Sequence, residues 1–598
     1  MDSILLDNDA RKLRKFGYTQ AFSREFTLLT NFSVSFSVIS TITGIVGSLG
    51  IAWNSGGPVS AVWGWVLVSV MTMFVGLAMA EIVSACPHAG GPYFWASVLS
   101  GRYAPFVSWI TAWLNLVGQV AITSSIIFSC ATLLSSQLLL FTGGAGVGVA
   151  LTDAELLGLY AVILIAAGGL NAFNSRSVAW LSGFSVVWQL GGLFVLLILI
   201  PAVAPTHQSA SFVFGKFFTA AQSGSGLPSN LYVFLVGMLM SQYTITGYDA
   251  SAHLAEETRQ ADINCPRAIV LAIASSALAG WALLLALLFS IQDGATLDNG
   301  TAGGYVAGQI FYDAFNARFE SGGGGVIALF IPAISMFLCG MSSITSNSRM
   351  IFGMSRDQGL PIKMVSTISP WTGTPLCAIA FSITCAFILG LPLLNSQVAY
   401  SAVVSIGTIG NYIAYAIPIL CRLTISRNSF EPGPFNLGRL SKPVGWVAVL
   451  WVAFITAVFV LPTTYPVTPS TLNYSGVTVG IVLLVTITWW WSPVYGARGW
   501  FKGARGTLRR PRAATASTSL LSNTNVIFGV HDMHPDAETP HHPAAETPHQ
   551  PSDSPQAPAT PVQNSSAQNT EEGHNEDGSM HEPASQIASH NQHAADLA

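Results

Sequence analysis

The chain has 598 residues, of which 51% are hydrophobic and only 9% charged, against roughly 25% charged in an ordinary soluble domain. A water-soluble fold of this length needs several charged surfaces, so composition excludes one, and the formal net charge of -4 argues against a nucleic-acid partner. The seven cysteines are scattered through apolar runs without a CxxC pair, which argues against a disulfide framework and against a zinc site.

In chain order, residues 1–27 are polar and lack a short apolar stretch before a small-residue cleavage site. No secretory signal is expected, and the first spanning helix must act as its own targeting signal. A bilayer core about 30 Å thick takes roughly 20 apolar residues per helix. Runs of that kind fall near 28–52, 59–84, 103–141, 154–172, 177–204, 229–252, 266–292, 323–349, 375–394, 398–420, 444–464 and 472–496. Gly, Pro and Asn breaks such as Asn54 to Pro58 separate them. The expected fold is an all-α integral membrane protein of twelve transmembrane helices over residues 28–496, preceded by a cytoplasmic segment 1–27. Residues 497–598 form a tail. From about 504 it is rich in Pro, Ser, Ala, His and Glu, holds nine of the 12 histidines, and should be disordered because it cannot bury a core.

Lys and Arg set the orientation. With twelve spans and both termini inside, all of the 24 basic residues except Lys216 and Arg318 fall on the inner side. One span more or fewer would invert every later loop, so the expectation is cytoplasmic N- and C-termini.

The first helix contains Thr41-Ile42-Thr43-Gly44 after Ser40, and the sixth contains Thr244-Ile245-Thr246-Gly247 between Tyr243 and Tyr248-Asp249. If the chain has two five-helix halves of opposite orientation, these stretches fall in the leading helix of each. Paired Gly-interrupted helices in matching positions point to a transporter site near the bilayer midplane. Unwound peptide groups are tolerated in a membrane only where they line a cavity or bind a polar solute. On that reading the half-helix after the first break aims N–H groups of Thr43, Gly44 and Ile45 at a carboxylate. Carbonyls near Ser40 and Thr246 suit an ammonium group, so the two breaks together match an amino-acid zwitterion. The alternative is that Gly44 and Gly247 allow close helix packing.

Buried polar residues need a reason, since an acid at a helix centre costs about 2.5–3.5 kcal/mol on insertion scales. Asp249 can hold a proton, meet a cationic group, or cap the half-helix that follows it. Glu81, at the inner end of the second helix, reads as a gate pairing with a basic residue or as an interfacial charge. His253, Glu256 and Glu257 read as interfacial residues with gating as the alternative. Asn115 and Gln119, four apart in the third helix, share a face toward the cavity or toward a neighbouring helix. Ser342 and Ser343 belong to a hydroxyl cluster in the eighth helix that suits either a sodium ion or helix-to-helix hydrogen bonds. Tyr243 and Tyr248 flank the second break, Tyr243 as an aromatic lid or as core filling.

Several ordered motifs stand in the chain: Phe16-Gly17-Tyr18, NFSVSFSVISTITG at 31–44, Gly76 to Ile82 leading to Pro87 and AGGPYFW at 89–95, GYDASAHLAEET at 247–258, and SNSRMIFGMSRDQGLP at 346–361. Together they resemble the amino acid–polyamine–organocation superfamily, in particular the branch of fungal GABA and choline permeases and plant bidirectional amino-acid transporters. The resemblance spans about residues 16–500. It implies an inverted-repeat fold, helices 1–5 and 6–10 in antiparallel halves with helices 1 and 6 broken, plus two C-terminal helices, working by alternating access. It further implies that Thr43 and Gly44 bind substrate carboxylate through amides. Carbonyls of Ser40, Tyr243 and Thr246 would hold the amine, and Tyr243 would be the lid. Some relatives place a lysine in the fifth helix near the first break where this chain has Gln189, which cannot ionise.

The expected activity is secondary transport of amino acids, GABA among them, with choline or polyamine transport on the same fold, or a transporter-like nutrient receptor, as alternatives. No enzyme constellation and no cofactor are expected. Coupling to protons or sodium stays open, as does oligomeric state. The partners expected are the bilayer and a small amino acid or amine, and the expected location is the plasma membrane rather than an internal one.

Overall fold

A computed structural model describes residues 2–222, 224–395, 397–469 and 471–504. The expected tail from about 504, with its histidines, lies outside the described residues. The described chain is helical, with no named strand; its one extended pairing is the isolated parallel bridge between Phe26 and Thr258.

In order the helices are α1 (Asp2–Lys15), α2 (Leu28–Ile39), α3 (Thr41–Asn54), α4 (Gly57–Ala85), α5 (Pro92–Leu99), α6 (Ala104–Phe141) and α7 (Asp153–Asn171). There follow α8 (Ser175–Val203), α9 (Ala210–Gly215), α10 (Asn230–Thr244), α11 (Ala250–His253), α12 (Ala261–Phe289) and α13 (Val306–Phe319). The remainder are α14 (Gly323–Ala328), α15 (Phe330–Arg356), α16 (Leu376–Gly390), α17 (Gln397–Leu423), α18 (Ser441–Val460), α19 (Tyr474–Trp491) and α20 (Ala497–Trp500).

Among the described residues, 11 helical segments are long and apolar enough to cross a membrane, α2 with α3 and α14 with α15 each counting as one. The sequence places a further span at 229–252. There the helix is divided: α10 has 15 residues and α11 four, with 245–249 between them, so neither half reaches a spanning length alone. Polar caps start several spans where the pattern requires. Thr27 and Thr152 form capping boxes with Thr30 and Glu155, and the side chains of Asn174 and Ser229 accept from the third helical amide.

The connections gather at two ends. At one, Phe218 N–H donates to Gly56 O, Ala145 N–H to Thr301 O and Tyr465 N–H to Ser225 O. At the other, the N-terminal face, Arg259 N–H donates to Phe26 O, Ser426 Oγ to Leu99 O and Ala504 N–H to Ser97 Oγ.

Lipid tails give no hydrophobic drive between helices, so close packing through small residues must hold the bundle. A Cβ on Gly76 would lie 2.2 Å from Ile273, one on Gly280 2.0 Å from Trp65, and one on Gly340 2.2 Å from Ile127. These fix α4 against α12 and α6 against α15. Trp180, Val187 and Phe194 on α8 and Leu484 and Val485 on α19 are exposed, as a lipid-facing surface requires.

Candidate functional site

The first break is a single residue. Ser40 has φ +29° and ψ 84°, a backbone conformation that L side chains rarely adopt. Its N–H closes α2 on Phe36 O, while its carbonyl accepts the first bond of α3 from Gly44 N–H at 2.9 Å. Its hydroxyl donates to Thr43 Oγ1 at 2.6 Å and accepts weakly from Thr43 N–H at 3.4 Å. The open amides at the start of α3 are therefore those of Thr41 and Ile42.

This corrects the expected anion pole. Gly44 and Ile45 lie inside the first turn, where helical bonding consumes their amides, and the Ser40 carbonyl is occupied by Gly44. Gly44 serves the packing instead, since a Cβ there would lie 2.4 Å from Thr244 Cγ2. Across the contact, Gly247 has φ +102° and a Cβ on it would lie 2.4 Å from Val38. Close packing is what the surroundings of both glycines show, and at Gly247 the backbone also requires glycine. Each break thus seats its glycine on a side chain of the other.

The second break is wider. Thr246 N–H donates to Tyr243 O at 3.1 Å, so that carbonyl is engaged, and Thr246 Oγ1 donates back to Gln242 O at 2.6 Å. Tyr412 OH of α17 donates to Ile245 O at 3.4 Å. Ser35 of α2 bridges to it, donating to Tyr248 O at 3.3 Å and accepting from Ser251 N–H at 2.8 Å.

Asp249 is helical in backbone and makes no cap bond to α11. The capping role fails because its carboxylate turns away: Oδ2 accepts from Gln119 Nε2 at 2.7 Å and faces His253 Nε2 at 3.1 Å, all three fully buried. Gln119 is thereby brought to the second break, whereas Asn115, one turn away, is buried with both amide atoms unpartnered among the described residues. Tyr248 packs on Tyr415 at 5.4 Å. Tyr243 OH bonds Ser125 Oγ at 2.8 Å. Behind it, Tyr400 bonds Ser129 at 2.7 Å and Gly47 O at 3.3 Å.

Tyr400 lines a cavity of about 410 Å³ together with Val46, Gly47, Ser48 and Tyr305. It opens away from the N-terminal face, and it begins where the predicted site residues of α3 end. Besides Tyr248 and Asp249 at the second break, the predicted gating and coupling residues fall in three places. Gln189 donates to Ser185, which accepts from Ser37 of α2, so it stands behind the first break. Ser343 bonds Thr123 at 2.7 Å, while Ser342 Oγ has no partner among the described residues. Glu81 pairs with Arg422 at 2.9 Å and accepts from Ser441, so it ties α4 to α17 and α18 away from the breaks.

On the N-terminal face buried ion pairs tie the segment after α11 to α15. Arg356 grips Glu256 with two bonds of 2.7 and 2.9 Å, Arg349 bonds Glu257 at 2.8 Å, and the Arg356 guanidinium lies 4.6 Å over the Tyr18 ring. Burial tends to raise the Glu256 pKa, but Arg356 and the nearby His88 outweigh it and hold the carboxyl at about 2. Asp357 accepts from Tyr18 OH at 2.8 Å and from Tyr93 OH at 3.1 Å. Burial pushes its pKa up to about 6 despite Arg356 and those two bonds. Sequence reasoning assigns no role to Tyr18 or Asp357; only their place in the motif strings (Phe16-Gly17-Tyr18 and Ser355-Arg356-Asp357) marks them.

The amino acid permease family model matches residues 26–484. The chain is 44% identical over 503 residues to amino-acid permease BAT1 of Arabidopsis thaliana, covering 83% of this chain and 96% of that one. It is 46% identical over 504 residues to the BAT1 homolog of Oryza sativa subsp. japonica, covering 83% and 95%. Similarity to the GABA-specific permease of Saccharomyces cerevisiae is 29% over 480 residues, covering 79% and 82%.

Proposed function

The chain belongs to the amino acid permease family, and from that premise we propose that it carries amino acids, GABA among them, by alternating access through twelve spans. The twelfth is the divided pair α10 and α11, and the two halves that α2–α3 and α10–α11 lead are read as inverted repeats. The observation that carries the reading is the reciprocal seating of the two breaks, Gly44 on Thr244 and Gly247 on Val38. It brings the start of α3, with the open amides of Thr41 and Ile42, and the end of α10 into one packed unit, and we read that unit as the place where a zwitterion is held. Tyr243, at the end of α10 and bonded to Ser125 of α6, is read as the lid. The N-terminal face is read as cytoplasmic, because every basic residue of the described loops except Lys216 and Arg318 lies toward it, and the plasma membrane is the location proposed.

Closure of the N-terminal face by Arg356–Glu256 and Arg349–Glu257, with a cavity on the other side, matches the outward-facing stage of such a cycle. A choline or polyamine substrate would want a free carboxylate. Asp249 commits Oδ2 to Gln119 and His253, while its Oδ1 has no hydrogen-bond partner among the described residues. The test is uptake into proteoliposomes of labelled leucine, glutamate, arginine, GABA and choline. Accumulation or exchange of amino acids is expected; exchange of choline alone would overturn the substrate assignment.

A further inference from the structure

Between the end of α17 and the start of α18 lies a second cavity, of about 170 Å³, lined by Arg422, Arg427, Phe430 and Lys442 together with Glu81 of α4. It belongs to the N-terminal face, where the same loop donates from Ser426 Oγ to Leu99 O and from Phe435 N–H to Ser84 Oγ. Three cations stand around one carboxylate. Glu81 is buried and fully engaged: it pairs with Arg422 at 2.9 Å and accepts from Ser441 Oγ and from Leu437 N–H. Arg422 also lies 4.5 Å over the Phe430 ring, which fixes it in place. Arg427 and Lys442 are exposed, and neither pairs with an acid among the described residues. Glu431, next in the chain to Pro432, lines a separate cleft with Lys12 and Lys15. The cavity therefore carries two positive charges without a counter-charge of its own, and an anion seated there relieves their repulsion.

The position of these charges says what brings the anion. Lys442, Trp446 and Leu450 recur every fourth residue and so share one face of α18. Trp446 and Leu450 are 44% and 65% exposed on a helix apolar enough to span the membrane, which makes that face a lipid-facing stripe. On α17 and just beyond it, Leu420 and Ile425 are exposed on either side of Arg422 in the chain. Lys442 thus ends the stripe where α18 begins, at the depth where hydrocarbon gives way to headgroups, and a tryptophan one turn further in is the residue that favours this boundary. Arginine and lysine at this depth, in a concavity between two membrane helices, suit the phosphate of a lipid headgroup.

We propose that this cavity binds the phosphate of an anionic phospholipid, held by Arg427 and Lys442, with the acyl chains laid along the Trp446–Leu450 stripe of α18. Arg422, fixed by Glu81, adds to the positive field without being free to pair. The chemistry recognised is a phosphate-bearing anion, and the stripe makes a lipid its carrier. An occupied site braces α17 against α18 at the end where Glu81 already joins both to α4. It is independent of which solute the chain carries.

Native mass spectrometry of the full chain in detergent tests this by the lipid it retains during titration with phosphatidylserine, with its neutral counterpart phosphatidylcholine, and with inorganic phosphate. Wild-type protein is expected to hold one phosphatidylserine at least about tenfold more tightly than phosphatidylcholine, and Arg427→Gln combined with Lys442→Gln to lose that preference. Both side chains are exposed, so the double variant should fold as the wild type does. Exchanging the two cations, Arg427→Lys with Lys442→Arg, should keep most of the preference. So should Lys363→Gln, which removes an exposed charge from another loop of the same face. Equal retention of the two lipids by the wild type overturns the proposal, and so does an equal loss in Lys363→Gln, which would mean diffuse attraction rather than a site. Inorganic phosphate binding that depends on Arg427 and Lys442, without retention of phosphatidylserine, overturns the lipid assignment.

Discussion

Gly44 has almost no room, and the atoms that crowd it are a threonine side chain rather than backbone. Overpacking of a tight contact costs typically about 1–3 kcal/mol, so Gly44→Leu should abolish uptake while leaving membrane insertion intact, measured by surface labelling beside transport. Gly44→Ala is expected to recover part of its lost uptake when combined with Thr244→Ala, because the Cγ2 and Oγ1 atoms that a new Cβ meets at 2.4 and 2.5 Å are then gone. Asp357 gives a second residue-level expectation. Its folded pKa, about 6, lies above the ordinary value of 3.8, so the folded state binds a proton that the unfolded chain has released. The associated stabilisation is complete below about pH 4 and is lost as pH rises through about 6, an effect on the order of 2–3 kcal/mol. Melting temperatures between pH 4 and 7 should fall more steeply for wild-type protein than for Asp357→Asn. Residues such as these are only half visible in the sequence. The TITG repeats mark where the helices break, but residue type points to the amides of Thr43, Gly44 and Ile45, since a glycine is the natural place for a half-helix to start. Ser40, a serine at positive φ, starts it instead, and nothing in residue type announces that.

At the scale of elements, the N-terminal strap before α2 is joined to the segment after α11 by backbone pairing of Phe26 with Glu257 and Arg259, and by Arg24 donating to Ala255 O and Thr258 O. The same segment carries Glu256 into the grip of Arg356. Removing one partner of a buried pair costs about 3–5 kcal/mol because the other charge is left unmatched. Arg356→Ala should therefore loosen this closure, seen as faster labelling of Cys86, buried in the loop after α4 whose His88 contacts Arg356, by a membrane-permeant maleimide. Unchanged labelling would mean that the pair does not hold the closed form. Hydropathy and turn residues place the spans to within a few residues, because a membrane helix must be long and apolar whatever its neighbours. The short helices α5, α9 and α13 escape that reading, as their lengths and mixed polarity are set by the loops they fold against. The links of Asp249 to Gln119 and of His253 to Ala89 escape it too: one partner is a side chain 130 residues away and the other is a peptide carbonyl, which has no residue type to read.

For the whole molecule, the family match ends at residue 484 and the described chain at 504. A chain ending after residue 504 is expected to retain uptake, measured against the full chain at equal surface expression; loss of flux would favour the receptor alternative. The mutual fit of the two breaks has a consequence for how such a chain can change. Because Val38 and Gly44 are shaped to Gly247 and Thr244, neither stretch is an independent part. A hybrid assembled from this protein and a distant cousin should work only if residues 38–44 and 244–247 come from the same parent, and heredity is expected to have kept the two stretches in step.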